Sequence, residues 1–327
     1  MTWQLTLAEA LPAIPAPLWT LARQAGVTAA VVTIPDTLDG PPPWDFSLLL
    51  ALKQRFKDAG LDLQVVESAP ASIMEPIKLG LPNRDERIER FCELVDNMGR
   101  VGIGVICHNF MPALGPLRTS FTVPGRGGAL LMGYDHALMA NAPLTEYGTL
   151  SEDQLWENMT VFLRRVVPVA ERAGVKLAVH PDDPPLSPIR GLARILTNRD
   201  AFQRVIDTVP SPANGITLCQ GSFSTMNVDI PDTIRHFGRQ NQIHFVHFRD
   251  VEGTPERFVE TFHEEGQTDM FEAVRAYRDV GFTGPVRVDH VPTMAGEDNA
   301  TPGYEVLGRL YAIGYLKGLM EAAGKCA

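Results

Sequence analysis

Positive charge is in short supply. The 327 residues carry 29 Lys and Arg against 39 Asp and Glu, a formal net charge of −10 at pH 7. Such a surface repels phosphate backbones, and no Lys/Arg cluster relieves it, so no nucleic-acid partner is expected. Cysteine is scarce as well. Cys92, Cys107, Cys219 and Cys326 are too few in so long a chain for a disulfide framework, and they read as reduced thiols of a cytoplasmic protein. No uninterrupted apolar run approaches the roughly 18 residues of a membrane span, so no membrane partner is expected either. The N-terminal stretch MTWQLTLAEALPAIPAPLW has no Lys or Arg ahead of its apolar residues and no convincing h-region, which argues against a secretory signal. Gly and Pro, 28 and 26 residues, are too few for a collagen-like or low-complexity polymer. A GxGxxG fingerprint after the first strand is also missing.

What the chain does have is a rhythm. Short β-branched runs near 3–5, 29–33, 63–67, 101–108, 176–180, 215–219, 243–247 and 285–289 alternate with amphipathic stretches. Apolar residues at three- and four-residue spacing predict helices over 46–59, 84–98, 155–173, 200–208, 270–280 and 304–322. Asp200 and Thr268 read as N-caps, and Gly60, Gly174 and Gly281 as helix stops. Strict βα alternation requires parallel strands with helices outside. Eight units in about 300 residues predict an α/β fold, a closed (β/α)8 TIM barrel, rather than an open doubly wound sheet. No linker is visible, so residues 1–327 read as a single catalytic domain. The stretch 109–149, rich in Gly, Pro and Met, is too long for an ordinary βα loop and follows strand four. It is expected to overhang the C-terminal mouth as a binding loop or lid.

In such barrels the chemistry sits at the C-terminal strand ends. Strand five, KLAVH, ends at His180; strand six, GITLC, at Cys219; strand seven, IHFVH, at His247; strand eight, PVRVD, at Asp289. Taken singly, a strand His is usually a hydrogen-bonded core residue and a Cys a small buried hydrophobe. Together the four place metal-ligand types at equivalent heights on one rim, where a single cation spans adjacent strand ends. His244, on the opposite strand face, is assigned to packing against helices. His108 and Asn109 end strand four, and Arg118 follows in the long loop. Asp182 and Asp183 read equally as partners of the ligating histidines or as a solvated turn. Arg249 faces either the site or a surface ion pair. Strict alternation turns His290 away from the mouth unless the strand stops before it, and Tyr304, taken alone, reads as packing.

The segments CHNFMPALGPLRT, AVHPDDPP, LCQGSF, HFVHFRDVEG, FHEEGQTDM and RVDH…PGYEVLGRL closely resemble the D-mannonate dehydratase family, in order, from about Met74 to the C-terminus. The resemblance implies a xylose-isomerase-like barrel and elimination of water from the sugar acid D-mannonate to give 2-keto-3-deoxy-D-gluconate in hexuronate catabolism. It implies a divalent metal, typically Mn²⁺, held by His180, Cys219, His247 and Asp289. Fe²⁺, Co²⁺, Mg²⁺ and Zn²⁺ stay open, since thiolate and imidazole donors by themselves suit softer ions. The acid/base pair falls on His290 and Tyr304, with neither role assigned, and a homodimer is expected by resemblance. His108, Asn109, Arg118 and Arg249 are the candidate substrate-binding residues. Against the family pattern, His108 stands for a tyrosine, Gly115 and Pro116 for Asp-Trp, Leu117 for a threonine, Val291 and Pro292 for Gly-Arg, and Leu186 for an aromatic. A metal-dependent sugar or sugar-acid isomerase or epimerase of the same superfamily is the alternative, and a non-catalytic sugar-acid sensor a further one.

Overall fold

The computed structural model describes residues 3–34 and 40–325; Cys326 lies outside them. Among the described residues twelve strands occur in chain order: β1 Thr6–Ala10, β2 Ala29–Val32, β3 Asp62–Glu67, β4 Val105–Asn109, β5 Ser120–Pro124, β6 Leu130–Asp135, β7 Lys176–His180, β8 Asn214–Cys219, β9 Ile243–Phe248, β10 Val251–Thr254, β11 Arg257–Glu260 and β12 Pro285–Val288. Eight of them close a parallel barrel in the order β1-β12-β9-β8-β7-β4-β3-β2. The predicted (β/α)8 barrel is therefore what the chain adopts. Its interior is filled by small and aliphatic side chains, among them Ala8, Ala29, Val31, Val65, Val105 and Ala178. The alternate residues of the same strands pack outward against the helices. Burial on both faces is why these strands read as apolar runs rather than as alternating ones.

Differences from the sequence reading have local causes. The first strand is Thr6–Ala10 rather than 3–5, because TLAEA, a weak strand former alone, is paired on both edges by β2 and β12. Trp3 instead sends its indole N–H to the Phe282 carbonyl, 2.8 Å away. The fourth strand begins at Val105, since the preceding helix, Arg84–Val101, runs on until Gly102 stops it in a left-handed conformation (φ 79°). Asn198 and Asp269, not Asp200 and Thr268, are the N-caps. Their carboxamide and carboxylate accept from the backbone N–H three residues on, at 3.0 Å each. The short helices Pro17–Gln24, Ala71–Leu79, Gln220–Thr225 and Ile230–Gly238 carried no periodic signal long enough to read.

The long stretch after β4 is built rather than loose. Its β5 and β6 form a hairpin that joins the β10–β11 hairpin in a four-stranded antiparallel sheet ordered β10-β11-β6-β5. Val291 and Thr293, just past β12, bridge to Gly303 and Leu130. This small sheet is fixed to the barrel at the mouth.

Two helical glycines test the packing. An added Cβ at Gly99 would sit 2.3 Å from the Ala173 carbonyl oxygen of the neighbouring helix, whereas at Gly314 nothing lies within 4 Å. Gly99→Ala is expected to destabilise by about 1–3 kcal/mol through overpacking, and Gly314→Ala to stabilise by up to about 1 kcal/mol through helix propensity. Denaturant melts of the two variants should move in opposite directions; shifts of the same sign would contradict the packing described.

Candidate active site

The barrel delivers three donors to one point and a fourth beside them. His180 and Cys219 are the last residues of β7 and β8, His247 lies one before the end of β9, and Asp289 lies one past β12. Ligand atoms of His180, Cys219 and His247 all fall within 4.8 Å of one another. His180 Nε2 is 3.2 Å from His247 Nδ1, and Asp289 Oδ2 is 3.5 Å from that same nitrogen. All four side chains are buried. The remaining nitrogen of each imidazole is held from behind. His180 Nδ1 donates to the Pro181 carbonyl at 2.7 Å, and His247 Nε2 lies 3.2 Å from the Glu67 carboxylate. Metal-binding histidines are oriented in this way, through the nitrogen that does not face the ion.

The electrostatics fit a cation. Burial pushes the Cys219 thiol up, but the guanidinium of Arg249, with Nε 3.3 Å from the sulfur, and His180 outweigh it and hold the thiol well below its usual range. Burial and Arg287 pull His247 down, yet Glu67 and Asp289 raise it to about 9. Around the mouth Glu67, Asp183, Cys219, Glu260 and Asp289 carry negative charge against the guanidinium groups of Arg118, Arg249 and Arg287. Nitrogen, sulfur and carboxylate donors of net negative charge are suited to a divalent ion.

Behind this quartet lies a buried box of two guanidinium groups and two carboxylates. Arg118 grips Asp183 with two bonds, 2.9 and 2.8 Å, and donates to Glu260 through Nε (2.9 Å) and Nη2. Arg249 donates to Glu260 (2.8 Å), Asp183 (2.8 Å) and Ser222 (2.9 Å). Its Nε also lies 3.2 Å from Asp289. Arg249 is therefore neither a surface pair nor a free substrate contact. Arg118, expected to hold substrate, spends its donors on Asp183, Glu260 and the Leu117 carbonyl. Asp182 pins the Leu196 N–H (2.7 Å), and neither Asp182 nor Asp183 hydrogen-bonds to a ligating histidine.

His290 does reach the mouth. β12 stops at Val288, and His290 adopts a left-handed φ of 35°, a strained setting for a side chain with a Cβ. Its Nδ1 is 2.9 Å from Glu260, and its ring meets that of Tyr304 edge-on at 5.3 Å between centroids. Tyr304 donates its hydroxyl proton to Asp289 Oδ1 at 3.0 Å. Burial, then the Asp289 charge, push its pKa above the usual range. With Glu67, Asn109 and Asp289, both rings line a cavity of about 170 Å³.

His108, expected to touch substrate, borders the cavity, but its ring is directed away from the barrel interior. Val105 and Cys107 point into the barrel, so His108, one step along, points out. Its ring sits among Phe91, Phe110 and Phe162, where burial and Lys78 lower its pKa to about 3. His244 likewise turns outward, with Nδ1 donating to the Leu177 carbonyl at 2.9 Å. Asn109 lines the cavity but also spends Oδ1 on the Met111 N–H, 3.1 Å away. Three residues at the site were missed: Glu67, Arg287 and Glu260. Arg287 clamps Glu67 with two bonds of 2.8 Å and holds Asp289 at 2.7 Å. The ends of β3 and β12 carried a readable signal in their charged residues, whereas Glu260 sits on a hairpin that was not foreseen.

A parallel eight-stranded barrel with buried His, Cys, His and Asp side chains at its mouth, donors that could hold a metal ion, defines a TIM barrel of enzyme-like architecture. The chain's comparisons narrow this. The family model for D-mannonate dehydratase (UxuA) matches residues 18–146 and 140–327. A mannonate dehydratase of Thermotoga neapolitana is 38% identical over 317 residues, covering 86% of this chain and 87% of that one. The crystal structure of the Streptococcus suis mannonate dehydratase superposes with a TM-score of 0.90 at 33% identity, over 98% of this chain and 94% of that one. A xylose isomerase domain protein from Planctomyces limnophilus, 14% identical with a TM-score of 0.61 and full coverage of both chains, shares the fold. This chain belongs to the D-mannonate dehydratase family.

The box has a pH signature. Burial raises the Glu260 carboxyl, but Arg249 and Arg118 more than compensate and hold it at about 2, below its ordinary value of 4.5. A group depressed on folding stabilises fully above its unfolded pKa and loses that contribution as pH falls through the folded one. Urea midpoints are therefore expected to hold steady from pH 7 to about 5 and to fall between 4.5 and 2, less steeply in Glu260→Gln. An equal slope in wild type and variant would contradict the assignment.

Proposed function

We propose that this chain binds one divalent cation, Mn²⁺ by its family, through His180, Cys219, His247 and Asp289, and dehydrates D-mannonate to 2-keto-3-deoxy-D-gluconate. Residues 1–327 act as a single catalytic domain, in a homodimer as the family resemblance implies. The observation that carries the reading is the convergence of His180, Cys219 and His247, with Asp289 3.5 Å from His247, beside a cavity lined by His290 and Tyr304. When bound, the cation supplies Lewis-acid stabilisation of charge developing on the substrate's oxygens.

The chain's own groups do the rest. Dehydration removes the C2 proton and expels the C3 hydroxyl; the resulting enol becomes the 2-keto acid. Tyr304, whose pKa burial and Asp289 raise, keeps its proton at neutral pH and is suited to protonate the leaving hydroxyl. His290 is then the acceptor of the C2 proton, from the nitrogen that does not face Glu260. With Arg118, Arg249 and Arg287 each paired to carboxylates, no guanidinium in the cluster is left over to hold the substrate's acid group. A cation held by the quartet would supply that positive charge, and Asn109 is placed to meet a substrate hydroxyl.

The test incubates Mn²⁺-loaded protein with D-mannonate and a panel of aldonic acids. A 2-keto-3-deoxy product, lighter than its substrate by one water, is expected, and His290→Asn should lose about 10²–10⁴-fold in turnover at unchanged metal content. An isomer of unchanged mass would mean an isomerase or epimerase instead, and tight binding without turnover a sensor.

A further inference from the structure

Glu260 is not one of the four proposed cation ligands and does not line the cavity; its ligand atom lies within 4.8 Å of those of Asp183 and His290. It reaches the mouth on β11, in the small antiparallel sheet, and is fully enclosed. Its carboxylate takes bonds from Arg249 and Arg118, and its Oε1 lies 2.9 Å from His290 Nδ1. A carboxylate held ionised can only accept, so that contact requires hydrogen on Nδ1. The one competing neighbour of Nδ1 is Arg118 Nη2, at 3.3 Å. Both hydrogens of Nη2 are already spent, one on Asp183 Oδ2 at 2.8 Å and the other on Glu260 Oε1. Arg118 therefore has none left to give the imidazole, and Nδ1 acts as donor.

We infer that Glu260 is the positioning residue of the proton-transfer histidine: by accepting the Nδ1–H of His290 it fixes the ring's tautomer and reserves the Nε2 lone pair for the substrate. The two arginines have a part in this. Paired to Glu260 and Asp183, they keep the Glu260 oxygen ionised and in place, so it orients the imidazole without taking its proton. The left-handed backbone at His290 brings the ring within reach of that oxygen. The small sheet thus has a chemical task at the mouth in addition to covering it. The inference rests on the proposed dehydratase reading for its kinetic consequence, but the tautomer stands apart from it.

Two measurements separate the claims. In protein labelled with ¹⁵N-histidine and loaded with diamagnetic Zn²⁺, two-bond ¹H–¹⁵N spectra, assigned through His290→Asn, should show His290 protonated on Nδ1 and bare on Nε2. Glu260→Gln should disturb that pattern. A wild-type His290 carrying its hydrogen on Nε2 would overturn the inference whatever the enzyme's activity. With Mn²⁺-loaded enzyme and D-mannonate, Glu260→Gln should lower kcat about 10²-fold or more with KM and metal content near wild type. Glu260→Asp should recover part of that loss. The double variant Glu260→Gln/His290→Asn should be no slower than His290→Asn alone, because both changes remove one function. Additive losses, or a Glu260→Gln defect confined to KM or to metal content, would mean a structural role and contradict the inference. Wild type showing the Nδ1–H tautomer without turnover would leave Glu260's placement intact and remove the dehydratase reading instead.

Discussion

The structure at the mouth is governed by the pairing of buried carboxylates with buried guanidinium groups. Five acidic groups (Glu67, Asp183, Cys219, Glu260 and Asp289) meet three guanidinium groups there, nearly all of them buried. Uncompensated charge in such a setting costs several kcal/mol per ion, and each of the four carboxylates is paired with a guanidinium. A divalent cation would sit at the point where His180, Cys219 and His247 already converge. The arginines are committed to holding carboxylates in place, so the attraction for an anionic substrate would have to come from that cation.

Two parts of the chain divide the work. The barrel supplies the four donors and, through Glu67 and Pro181, the groups that aim the imidazoles. The antiparallel sheet grown from the β4 and β9 connections supplies Glu260, and Arg118 enters from the strand-four connection just before β5. Arg249 touches both parts, with one side of its guanidinium on Cys219 and Asp289 and the other on Glu260 and Asp183. Ligand geometry and proton-transfer geometry are therefore locked to each other by buried ion pairs rather than by a mobile loop.

The barrel and its four donors were legible in the sequence because parallel βα repeats put each strand's last residues on one rim, wherever the strand lies in the chain. His290 was not, since alternation turns it outward, and only the end of β12 at Val288 and a left-handed backbone bring it in. His108 shows the opposite limit. Proximity to the strand end put it at the cavity border, while the two-residue period of β4 turns its ring toward Phe91, Phe110 and Phe162. Glu67 and Arg287 gain their meaning from each other across 220 residues, and Glu260 from a hairpin with no periodic signal. Pairings of that kind are set by tertiary structure. Arg118 illustrates the remaining gap: the family motif located it, but only the distances show that its charge is turned toward Asp183 and Glu260.

Diffraction at a wavelength where manganese scatters anomalously, from crystals grown with Mn²⁺, tests the central claim most directly. A single strong peak is expected at about 2–2.5 Å from His180 Nε2, Cys219 Sγ, His247 Nδ1 and an Asp289 oxygen. A mouth without a peak, or a peak among Asp183, Glu260 and His290 instead, would contradict it.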